Sequence, residues 1–79
     1  MKYNNTISYQ PLKIENPNEK KYFIRGICTC GGRHYSENMC YEDALVAMPK
    51  YIGVVEHFGG GVVELVEGED KVLKYKIIH

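Results

Sequence analysis

Along residues 21–30, "KYFIRGICTC", apolar and polar positions alternate with a period of two. Tyr22, Ile24, Cys28 and Cys30 share one face, and Phe23, Arg25, Ile27 and Thr29 share the other. The first set is the more apolar, so the pattern predicts a strand with that face toward the core. Residues 7–14, "ISYQPLKI", predict an earlier strand, with Pro11 on an edge or at a bulge because it cannot donate to a ladder. The "ENPNEK" stretch between them is turn chemistry. Gly31 and Gly32 predict a two-residue hairpin turn, followed by a short return strand "RHYS".

The period then changes. Tyr41, Ala44, Leu45 and Met48 follow the i, i+3, i+4, i+7 spacing of a helix with one buried face, over residues 40–52. Glu42 and Asp43 fall in its first turn, where acids complement the helix dipole, and Cys40 falls at the N-cap. Pro49 predicts an end or kink, and Gly53 a C-cap. Beyond it, "VVEHF", "VVELVE" and "KVLKYKII" predict a three-strand meander. In the last strand Leu73, Tyr75 and Ile77 are expected inward, and Lys74 and Lys76 outward. The expected fold is α+β: an antiparallel sheet of about five strands in β-β-α-β-β-β order, with a short strand before the helix and the helix on one face. One helix covers one face only. The other, with Phe23, Ile27, Val55 and Val63, is expected to be an apolar surface open to a partner.

Composition narrows the picture. At 79 residues the chain is expected to form a single small domain. Such a domain buries only about 60% of its unfolded surface, so a second copy of the chain would add stability. A net charge of zero argues against a protein built mainly to hold nucleic acid, or against a polybasic membrane anchor. No stretch reads as a membrane span or a signal peptide, so the chain reads as cytosolic. The charge is segregated nonetheless. Residues 1–37 carry six bases and three acids, and residues 38–79 four bases and seven acids. Glu56, Glu64, Glu67, Glu69 and Asp70 form an acidic run uninterrupted by Lys or Arg. This run is a candidate face for a basic partner.

The chemistry concentrates in "CTCGGRHYSENMC". Cys28, Cys30, His34 and Cys40 have the right donors, in the right number, for tetrahedral zinc. Strand parity opposes it. A two-residue turn at Gly31 and Gly32 puts His34 on the face opposite Cys28 and Cys30. A three-residue loop, Gly31 to Arg33, would bring His34 beside Cys30 and restore the metal reading. On an extended strand the two thiols of C-x-C are too far apart for a disulfide. Cys40 gains thiolate character from the helix start, and Glu42 and Asp43 oppose it. The "VEHFGGG" stretch resembles, over a few residues, the His-Gly-Gly-Gly segment of lipase-like hydrolases, but no G-x-S-x-G elbow accompanies it. Gly59 to Gly61 lack a phosphate-loop context.

These features favour a small non-catalytic protein-binding module with no cofactor, acting on a larger protein or complex. The expected contact residues are Glu56, Glu64, Glu67, Glu69, Asp70, Phe23 and Arg25. Lys20, Lys21, Tyr22, Phe23, Arg25, Arg33 and Tyr35 interleave bases with aromatics and support an alternative, single-stranded nucleic-acid binding. In size and composition alone, the Asn-, Lys- and Tyr-rich chain resembles small phage-encoded or accessory inhibitors of host defence systems, and that resemblance implies an inhibitory or regulatory role.

Overall fold

The computed structural model describes residues 8, 9, 14 and 16–79. The predicted strand at 7–14 lies outside the described residues except for Ser8, Tyr9 and Ile14. The elements run β1 (Ser8–Tyr9), β2 (Tyr22–Cys28), β3 (Arg33–Tyr35), α1 (Tyr41–His57), β4 (Gly61–Glu67) and β5 (Lys71–Ile78). The fold is α+β. Four antiparallel strands lie in the order β5-β4-β2-β3, extended at the β5 edge by the two-residue β1, and α1 packs on one face.

The helix continues through both of its predicted stops. Pro49 and Gly53 lie inside it, and residues 54–57, expected in a strand, form its last turn. The reason is visible in the packing. Ala44, Met48 and Val55 are buried, and Tyr51 and Ile52 pack beside them, so one apolar stripe runs the length of the helix. Pro49 is exposed and removes only one hydrogen bond of the ladder. The helix ends at Phe58, where Gly59 adopts φ +96° and donates to the Glu56 carbonyl oxygen at 3.1 Å. Cys40 sits at the N-cap without a side-chain cap hydrogen bond. Gly53 faces open space, so Gly53→Ala is expected to raise stability by about 0.5–1 kcal/mol. Chemical denaturation measures this directly.

Tyr22, Ile24 and Cys28 enter the core as their alternation predicts, against Val63 and Leu65 of β4 and Leu73 and Ile78 of β5. Val55 and Val63, expected on the open face, belong to this core instead. Gly26 seats the second half of α1: a Cβ there would lie 3.0 Å from Val55 Cγ2.

Leu73 of the last strand faces the core as expected, but from Lys74 onward the strand is phased opposite to expectation. Tyr75 pairs with Glu64 and Ile77 with Val62, both on the face away from the helix, while Lys74 and Lys76 pair with the core residues Leu65 and Val63. A register shift between Leu65 and Val66 places Leu73 on the helix side. Beyond that bulge the parity of β5 no longer follows from its downstream half.

Candidate functional site

The face away from α1 is built from three cross-strand rows. The register aligns Arg33, Ile27, Val62 and Ile77 in one, and Tyr35, Arg25, Glu64 and Tyr75 in the next. Phe23, Val66 and Val72 form the third. Phe23 and Ile27 lie on this face, as their alternation predicts. Directly opposite residues share a face, so each row is a strip of touching side chains.

The middle row is electrostatic. Glu64 is only 1% exposed. Its Oε1 accepts from Arg25 Nε at 2.6 Å, and Arg25 Nη1 reaches Asp70 Oδ1 at 2.9 Å. Desolvation works against the charged Arg25, but the two carboxylates outweigh it and raise its pKa. The guanidinium thus ties the β4–β5 turn, which holds Asp70, to the centre of the sheet.

A second cluster lies where β2 begins and β4 ends. Glu67 Oε2 meets Lys21 Nζ at 2.7 Å, and Glu67 Oε1 lies 3.7 Å from Lys71 Nζ. The hydrogen bond from Lys21 holds the Glu67 carboxyl below its ordinary value. A depressed carboxylate pKa contributes stability above the unfolded value, and that contribution is lost as pH falls through the folded value. The acid limb of the stability profile is therefore expected to be shallower in Glu67→Gln than in the parent, below about pH 4.5. Urea unfolding across that range reads the difference.

The acidic run is thus largely matched by cations. Glu64, Glu67 and Asp70 are held by Arg25, Lys21 and Lys71. Glu69 is exposed in the β4–β5 turn, and Glu56 is exposed on the helix, so the seven expected contact residues do not form one patch. Sequence spacing placed the acids in one stretch. Antiparallel pairing brought Arg25 of β2, Lys21 just before it and Lys71 of β5 beside them.

The apolar row carries the opening. Ile27, Thr29, Val62 and Ile77, with Cys28, Gly61, Ile78 and His79 beneath and beside them, line an open recess of about 340 Å³ at the end of the sheet. Next to it is the β3 edge, where Tyr35 is 55% exposed and packs on Phe23 at 6.4 Å between ring centroids. His34 and Tyr35 lie on opposite faces of β3. Sequence reasoning missed Val62 because "GVVELVE" is apolar on both faces, and Ile77 because a register shift reverses its phase. The signal was the charge pair: Arg25 opposite Glu64 fixes which parity of β4 lies outside.

The cysteine cluster does not assemble as four ligands. Between β2 and β3, Cys28 and Gly32 close a turn of three residues, Thr29 to Gly31, and not the two predicted at Gly31 and Gly32. Cys28 N–H donates to the Gly32 carbonyl oxygen at 2.8 Å, and Ile27 pairs with Arg33. His34 therefore pairs with Gly26 and lies on the helix side, the same face as Cys28, contrary to the two-residue turn. Its ring stacks on Phe58 at 5.4 Å. Cys30 is exposed in the loop. Cys40 is remote: Met39 bridges to Tyr22, at the opposite end of β2 from Cys28, roughly 20 Å along the strand. Among the described residues, no group of three or more His, Cys, Asp or Glu side chains gathers to hold a metal ion. No described helix is long and apolar enough to cross a membrane.

No family model, curated protein or solved structure matches this chain.

Proposed function

We propose that this chain is a small non-catalytic protein-binding module that engages a larger protein or complex through the sheet face away from the helix. The observation that carries this reading is the open apolar recess of Ile27, Val62 and Ile77, set beside a central ion group in which one guanidinium, Arg25, is shared by two carboxylates. An apolar depression whose neighbouring cation is already engaged suits an apolar anchor from a protein partner. It suits a polyanion poorly. Arg25, the cation on which a base-stacking face would rely, is committed to two carboxylates. Arg33 and Tyr35 at the β3 edge add a polar and aromatic rim. Inhibition or regulation of the partner, including a host-defence complex for a phage-encoded protein, is the finer form of this reading, and the identity of the captured partner decides it.

Affinity capture with two variants tests the face. Ile77→Asp places a charge in the recess wall, and Val46→Asp places one at a helix position that is 77% exposed. Ile77→Asp is expected to weaken binding about 30-fold, the effect of losing one hot-spot contact, at unchanged far-UV circular dichroism. Val46→Asp is expected to bind like the parent. Equal loss in both variants, or loss only in Val46→Asp, would move the contact off this face.

A further inference from the structure

The reversal between β2 and β3 puts two cysteines on one turn. Gly31 N–H donates to the Cys28 carbonyl oxygen at 2.9 Å, so residues 28–31 form a β-turn with Cys30 at its third position. An i, i+2 pair on an extended strand stands about 6.5 Å apart. The turn folds that separation back and sets both side chains beside the same glycine. Their environments differ. Cys28 is 3% exposed at the edge of the core, while Cys30 is open to solvent. Gly32 leaves a small hollow beside them. A Cβ at Gly32 would lie 3.8 Å from Cys30 Sγ, 3.9 Å from His34 Nε2 and 4.0 Å from Cys28 Cβ.

We propose that Cys28 and Cys30 form a dithiol site that closes reversibly to a disulfide by exchange with a low-molecular-weight disulfide. Two thiols on one turn, one exposed and one buried behind it, supply the attacking and resolving groups in order. The Cys30 thiolate attacks one sulfur of the small disulfide, forming a mixed disulfide, and the other sulfur leaves as a thiolate. Cys28 then loses its proton and attacks Cys30 Sγ. The Cys28–Cys30 bond forms, and the second small thiolate departs. The protein gives up two electrons and two protons, and the small disulfide takes both to become two thiols. Burial favours the neutral thiol of Cys28, which keeps it from attacking first. Cys40, at the other end of β2, takes no part. This site does not depend on how the sheet face is used.

The test uses the full chain and oxidised glutathione. After exposure, the protein is denatured, its free thiols are alkylated, and its intact mass is read. The parent is expected to fall from three alkylatable thiols to one, with no glutathione retained, and to recover all three in dithiothreitol. Cys28→Ser is expected to retain glutathione on Cys30. Cys30→Ser, at an exposed position that does not support the core, is expected to keep both remaining thiols free, and it carries the test if Cys28→Ser does not fold. Three results would overturn the proposal: glutathione retained on the parent, all three parent thiols surviving, or loss of both thiols in Cys30→Ser.

Discussion

Gly61→Ala is expected to destabilise the protein by about 3 kcal/mol or more, the largest effect of any single methyl group added to this chain. Gly61 opens β4 at φ +152°, between Cys28 of β2 and Ile78 of β5. A Cβ there would overlap the Ile27 carbonyl oxygen and lie 2.9 Å from Cys28 Cα. Both atoms belong to the backbone of the neighbouring strand, so no side-chain rotation relieves the overlap. The sheet would have to open where β2, β4 and β5 meet, at the wall of the recess. For a domain of this size the loss corresponds to a fall in Tm of about 12 °C or more. Gly68→Ala is the matching control. Gly68 also has positive φ, +67°, but a Cβ there meets nothing within 4 Å. Its cost is expected to be the backbone term alone, about 1–2 kcal/mol. Thermal unfolding of the two variants separates strand contact from backbone strain. Equal losses would contradict the assignment.

Arg25→Ala is expected to cost about 3–5 kcal/mol, because it removes the cation from a carboxylate that is almost wholly buried. The loss is not a measure of what the pair contributes. Two charges taken from water recover much of their desolvation through each other, so removing Arg25 leaves a buried carboxylate without the cation that lies 2.6 Å from it. The double variant Arg25→Met with Glu64→Leu is therefore expected to recover most of the stability lost by Arg25→Ala. Urea unfolding of Arg25→Ala, Glu64→Leu and the pair measures the coupling. A loss under about 1 kcal/mol in Arg25→Ala would show that the pair is solvated in solution. Stability totals only about 5–15 kcal/mol in proteins generally, and a 79-residue chain has little to spare. Either single variant can thus leave a substantial unfolded fraction at physiological temperature.

Much of the architecture was legible where one face of an element is apolar and the other is not. The alternation of Tyr22, Ile24 and Cys28 placed β2 correctly, and the spacing of Tyr41, Ala44, Leu45 and Met48 located the helix. Local rules failed where tertiary packing outweighed them. Pro49 and Gly53 are strong local stop signals, but the stripe from Ala44 to Val55 packs across β2 and β4 and holds the helix through both. Gly-Gly favoured a tight turn at Gly31. The turn starts two residues earlier and is one residue longer, which moved His34 to the other face. The bulge between Leu65 and Val66 reversed the expected phase of Tyr75 and Ile77, and no residue type announced it.

The candidate site was less legible than the fold. Phe23 and Arg25 were expected on the outer face and lie there. The recess beside them needs the register of three strands, which a single sequence does not specify when both faces of β4 are apolar. The acidic run had the converse problem. Its residues are adjacent in sequence, but three of them are matched by bases that pairing delivers from β2 and β5.

Methyl cross-saturation from the captured partner to this chain tests the proposed face most directly. Saturation transfer is expected at the methyl groups of Ile27, Val62 and Ile77, with Val46 on the exposed side of the helix left unaffected. Transfer to Val46 with none to those three residues would contradict the proposed face.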